Sequence, residues 1–182
     1  TASYLALLNR LKSSDTKAVR KEAHSLLKTG KKQKQPDLQI AGMDLLMSIP
    51  SENKSKLMTY ALKDGNPALV ASTLRMFPNK LDKKEYNILI KSLNASSPET
   101  QIPIIYWLGN QKMENAVSDI SKFTHSENSL LKAAAIRSLA KIGNEDALLL
   151  LVGLLKSDNK ETIALAKDAL STYEGDMSYE LA

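Results

Sequence analysis

Four consecutive blocks of 31 residues, beginning at Gln33, Asp64, Ala95 and Ser126, align without a gap, and a shorter fifth begins at Ser157. A fixed period of this length restricts a chain to stacked supersecondary units, because one unit is too small to bury its own apolar faces. Block position 4 holds Pro36, Pro67 and Pro98, then Ser129 and Lys160. A proline in the first turn of a helix loses no hydrogen bond, since the amides there have no intrahelical partner. Positions 8, 11 and 14 follow at offsets of three. They read Ile40, Ala71, Ile102, Ala133 and Ala164; Met43, Leu74, Ile105, Ile136 and Lys167; and Leu46, Phe77, Leu108, Leu139 and Leu170. That spacing predicts one apolar stripe along the first helix of each block.

Breaks follow at Ile49-Pro50-Ser51, Phe77-Pro78-Asn79, Leu108-Gly109-Asn110 and Ile142-Gly143-Asn144, where Pro, Gly and Asn are read as turn residues. A second helix then carries Met58, Leu89, Ile120 and Leu151 at position 26, and Leu62, Leu93, Thr124 and Leu155 at position 30. Each block is a helical hairpin with one apolar stripe per helix, and neighbours must stack to cover both. The fold class is therefore all-α, a solenoid of hairpins with repeats at 33–63, 64–94, 95–125 and 126–156 and a half repeat at 157–175. Only 7 Gly and 6 Pro interrupt the chain and aromatics are 5%, too few turn and strand formers for a sandwich or barrel.

The ends depart from the period. Residues 3–12 and 15–29 read as two helices, with Ser14 or Asp15 as N-cap. They make an irregular N-terminal hairpin, a cap over 1–32, with residues 30–35 as its exit loop. The fifth block has a first helix and no second, which leaves 176–182 as a tail or linker of one structural domain. With Thr rather than Met at position 1 and irregular ends, the reading is a module of a larger protein.

The block SENSLLKAAAIRSLAKIGNEDALLLLVGLLK, residues 126–156, has a polar start, an Ala-rich first helix, a glycine turn and a Leu-rich second helix. It resembles a HEAT repeat of the short bacterial kind, more loosely matched by 64–94 and 95–125 and by 33–63 mainly at its stripe. The resemblance implies a right-handed α-α superhelix, with first helices on the convex side and second helices lining a concave one. On that concave side, positions 24, 28 and 31 would align Lys56, Tyr60, Lys63, Asn87, Lys91, Asn94, Lys122, His125 and Lys156 into one polar row. Two readings stand for this row: a groove for an acidic peptide or polyanion, or a solvated helix face. Glu85 and Asp119 nearby interrupt the cations and favour the second.

The formal charge is +5, and its placement matters more than its size. Residues 1–35 hold nine cations against two acids, a net +7, whereas the other 147 hold sixteen against eighteen, a net −2. Lys28, Lys31, Lys32 and Lys34 form a candidate basic docking patch at this end. A nucleic-acid binder spreads cations along its contact surface to neutralise many phosphates, so the bias disfavours nucleic acid as the partner.

No catalytic constellation emerges. There are no cysteines, hence no disulfide or thiolate metal site, and redox compartment stays open. His-x-x-x-His spacing, phosphate-cradling glycine loops and nucleophile-elbow motifs are missing, so neither cofactor nor metal is expected. His125 reads as an exposed polar residue and His24 as a partly buried one. Glu145 and Asp146 open a helix, where the dipole favours anions without any catalytic role. Trp107 reads as core rather than a binding platform, and Pro103 as an internal bend. No run approaches the ~18 apolar residues of a membrane span.

The leading expectation is a non-catalytic scaffold that binds another protein or an adjoining domain of the same chain. By resemblance, such modules are often attached to bacterial enzymes, sugar-processing ones among them. The alternative by resemblance is a nucleic-acid-handling protein like the HEAT-like DNA glycosylases for alkylated bases, although none of their catalytic residues maps here. A HEAT-like lyase, or a chaperone for a cofactor protein, is a third class with no residue to carry it.

Overall fold

A computed structural model describes residues 16–77 and 80–173, and among them there are ten α-helices, one short 3-10 helix and no strand. In chain order these are α1 (Thr16–Gln33), α2 (Pro36–Met47), α3 (Lys54–Asp64), α4 (Pro67–Arg75), α5 (Lys83–Ala95) and α6 (Pro98–Asn110). The 3-10 turn Glu114–Ala116 leads into α7 (Val117–Ser121), followed by α8 (Ser129–Ile142), α9 (Glu145–Leu154) and α10 (Lys160–Ser171). The expected helix at 3–12, the Pro78-Asn79 turn and the tail 176–182 lie outside the described residues.

Block position 4 opens the first helix in all five blocks, at Pro36, Pro67, Pro98, Ser129 and Lys160. The residue before it is the cap. Asn66 accepts from the amides of Ala68 and Leu69, Asn128 from Leu131 and Asn159 from Thr162. Each relieves an amide that the first turn leaves unpaired. The second helices are capped by Asn53, by Asp82 with a reciprocal Glu85 capping box, and by Asn144.

The chain forms two compact units, Thr1–Thr100 and Gln101–Ala182. In the first, α1 packs along α2, first helices α2 and α4 pack together, and second helices α3 and α5 do likewise. In the second, α8 packs on α10 and α7 on α9, with α8 also meeting α9. Neighbouring hairpins thus stack within each unit, helix for helix, as a solenoid requires. Positions 11 and 14 supply the core through block 4, from Met43 and Leu46 to Ile136 and Leu139, and position 26 is fully buried throughout: Met58, Leu89, Ile120 and Leu151. Burying one such side chain is worth roughly 1.5–3 kcal/mol, so these rows dominate the stability.

Three expectations need correction. Position 8 is not core: Ile40, Ile102 and Ala133 are half-buried and Ala71 and Ala164 exposed. Its place is taken by position 7, which buries Gln39, Val70, Gln101 and Lys132. Two of these polar residues reach the following block, Gln39 Nε2 to Asp64 Oδ2 at 3.2 Å and Lys132 Nζ to Glu161 Oε2 at 2.8 Å. Second, Leu108-Gly109-Asn110 is no turn. It lies inside α6, where Gly109 lets α8 come close: a Cβ there would stand 2.6 Å from Ser138 Cβ and 2.8 Å from its Cα. Gly143, three positions later in its own block, does end a helix, at φ 64°. Third, residues 30–33 continue α1 instead of leaving it. Gly30 is buried against the Gln39 backbone, 2.7 Å from where its Cβ would be, and that absent Cβ is what lets the helix run on beside α2.

Candidate functional site

The continuation of α1 decides where the N-terminal cations point. Lys28, Lys31 and Lys32 fall at i, i+3 and i+4 of one uninterrupted helix and so share a face. Across from them α3 begins at Lys54 behind the Asn53 cap, which takes the Lys56 amide at 3.0 Å and places Lys56 and Tyr60 one turn apart. Between α1 and α3 lies a cavity of about 620 Å³ with a mostly apolar lining. Leu27, Leu46 and Leu57 form its floor, and Lys28, Lys31, Lys32 and Lys56 stand around it with Tyr60 and His24. His24, expected to be partly buried, is exposed there. The structure therefore brings together the candidate basic patch and the first two residues of the candidate polar row. Lys34 is left out: it sits beyond the helix end at φ 55°, exposed.

The charges around this groove are unevenly matched. Lys31 Nζ lies 3.1 Å from Asp64 Oδ2 and 5.9 Å from the centre of the Tyr60 ring. The hydrogen bond to Asp64, then the negative charge of Asp64, hold the Lys31 ammonium above its ordinary pKa. Glu52, the acid on the lining, is bonded to Arg20 of α1. Among the described residues, no salt bridge engages Lys28, Lys32 or Lys56, and all three are exposed.

In the second unit, His125 and Lys156 line an open cavity of about 1050 Å³ between α7 and α9. His125 is exposed, as expected. Its walls include Leu149 and Leu150, exposed at 63% and 40%, and the acids Glu114, Asp146 and Asp158. Against one lysine, three acids leave this cavity net negative. Lys122 is tied to Asp119 at 2.8 Å. Lys63, Asn87, Lys91 and Asn94 are exposed and line neither cavity. Trp107 is buried, as a core residue should be, with its Nε1–H unpaired. Sequence reasoning placed Leu46 in the apolar stripe but missed Leu27 and Leu57. The signal for Leu27 was present in the α1 stripe Val19, Ala23, Leu27 and Gly30, which a loop at Gly30 obscured.

Among the described residues, no group of three His, Cys, Asp or Glu is placed to hold a metal ion, and no helix is long and apolar enough to cross a membrane. Stacked helical hairpins with a common period define a helical-repeat protein. Residues 86–171, just under half of the chain, match the family model of HEAT repeats, and this stretch is HEAT-like. No curated protein matches the chain.

Proposed function

We propose that the chain is a non-catalytic scaffold that binds a partner protein or an adjoining domain of a larger protein. HEAT repeats commonly mediate protein interaction. The observation that carries the reading here is the division of labour within each second helix. Position 26 is fully buried between hairpins, while Lys56, Lys63, Asn87, Lys91 and Asn94 on the same helices face outward. Such a surface can change its side chains without disturbing the stack. A sugar-processing bacterial parent remains the setting that the resemblance implies, and the reading frame flanking Thr1 and Ala182 tests it.

The nucleic-acid alternative draws on the cations near α1, but two of these, Arg20 and Lys31, are among five that are already committed. Arg20, Lys31, Lys122, Lys132 and Arg137 each pair with an internal acid, and the larger cavity is acidic. Titration of a labelled DNA duplex by fluorescence anisotropy tests the choice. The scaffold reading expects no binding at about 50 mM salt. Tight binding that collapses by about 10³-fold or more towards 200 mM would replace it with the nucleic-acid reading.

A further inference from the structure

We infer that the groove between α1 and α3 is a docking site for an acidic peptide segment of a partner protein, one carrying large apolar side chains among its carboxylates. This rests on the scaffold reading and names where, and on what chemistry, the scaffold would hold its partner.

Two features of the groove must be explained together: an apolar floor and an uncompensated cationic rim. The concavity of about 620 Å³ has a mostly apolar lining above the buried Leu27, Leu46 and Leu57, which are themselves at most 8% exposed, and its volume lies within the ~300–1,000 Å³ typical of sites that enclose a ligand or a few side chains. A merely solvated helix face has no such floor. The rim is costly to the isolated fold. Lys28 and Lys32 are like charges one turn apart, an arrangement that destabilises a helix. Helix dipoles account for only part of it. Lys31 and Lys32 lie in the last turn of α1, where cations are favoured. Lys56 lies in the first turn of α3, which has no acid and where a cation is disfavoured. A bound carboxylate would relieve both the Lys28–Lys32 repulsion and the positive end of α3.

The chemistry of the rim narrows the occupant. Its free charges are all lysines, because the nearby guanidinium of Arg20 is taken by Glu52. Lysine reads charge without the planar, paired geometry that marks phosphate-reading arginine clusters. Nor is there a free aromatic for a base to stack on, since Tyr60 is half-buried under Lys31. An apolar floor suits a peptide's side chains and does nothing for a sugar-phosphate backbone.

The test is selection of random dodecapeptides displayed on phage against the full chain. Counter-selection uses the triple variant Lys28→Glu/Lys32→Glu/Lys56→Glu, whose helical circular dichroism must match the parent. All three positions are exposed, so the variant should fold. The expected result is enrichment of net-acidic peptides with at least two large apolar residues. The best of them, synthesised, should lose about tenfold or more in affinity for the triple variant. Its binding should weaken with salt without vanishing, because the apolar contact is unscreened. Failure to enrich any peptide, or enrichment of uncharged or basic ones, overturns the proposal. Acidic peptides that bind the triple variant equally well also overturn it while leaving the scaffold reading intact. Duplex DNA binding abolished by the same three substitutions overturns both.

Discussion

Replacing Gly109 by alanine should destabilise the protein, although alanine is the better helix former. Gly109 lies inside α6, and a Cβ there would stand 2.6 Å from Ser138 Cβ, 2.8 Å from its Cα and 2.8 Å from its Oγ. Ordinary contact begins near 3.4 Å, so α6 and α8 would have to part by 0.6 to 0.8 Å along that line. Two of the three blocking atoms are Cα and Cβ, which no rotamer change can move aside. Overpacking of this kind costs ~1–3 kcal/mol, and because the Cα and Cβ of Ser138 can move only with its helix the upper half of that range applies. Alanine returns ~1 kcal/mol of helix propensity, leaving a net loss of ~1–2 kcal/mol, or about 2–8 °C in Tm for a chain of this size. Urea denaturation followed by helical circular dichroism and by the fluorescence of Trp107, the sole tryptophan, measures it. Ser138→Gly removes Cβ and Oγ from the obstruction and leaves Cα. The double-mutant cycle should therefore show partial rescue, with a coupling of ~0.5 kcal/mol or more. A Gly109→Ala protein that is more stable by ~1 kcal/mol, with no coupling to Ser138, would mean that propensity alone operates and the helices do not touch.

Two further perturbations probe the stack. Leu139→Ala empties a fully buried position-14 site and should cost ~2–5 kcal/mol; an unchanged urea midpoint would refute the assignment of that position to the core. Glu161 accepts hydrogen bonds from Lys132 and then Ser129, which hold its carboxyl below the ordinary value of 4.5. The folded state therefore takes up this proton less readily than the unfolded one. Its stabilising contribution is present above pH 4.5 and is lost as pH falls through the lowered value. Glu161→Gln should accordingly show a flatter loss of stability on acidification than the parent, and parallel acid limbs would sink the idea.

Much of the fold was legible because the informative residues are also the physically constrained ones. Prolines at position 4 mark the first turn since only there does a helix lose no hydrogen bond to them, and position 26 is apolar in all four full blocks. The misreading of position 8 has a geometric cause. Two steps of three residues rotate a helix by about 120° away from position 14, whereas seven residues leave only about 20°. Position 7 therefore shares the face of position 14. Its occupants Gln39, Gln101 and Lys132 concealed this, being polar residues that are buried. Glycine was ambiguous in the same way. Leu-Gly-Asn at 108–110 and Ile-Gly-Asn at 142–144 look alike, yet one glycine admits a neighbouring helix and the other turns the chain at φ 64°. The groove was half visible. Its cations stood out in the sequence, but their convergence with Lys56 and Tyr60 depended on Gly30 being helical.

The buried polar residues at position 7 also bear on how such a chain can change its length. Repeats of equal period look interchangeable, and duplication or loss of a whole block keeps every apolar row in phase. The bonds from Gln39 to Asp64 and from Lys132 to Glu161 make the junctions individual. A block carrying Lys132 needs a successor with a carboxylate at position 5. Block 2 offers Ala68 there, and transplanting it behind Lys132 would bury an ammonium with no counterion. The apolar rows permit any order of blocks, and the polar rungs between them record the order that this chain has kept.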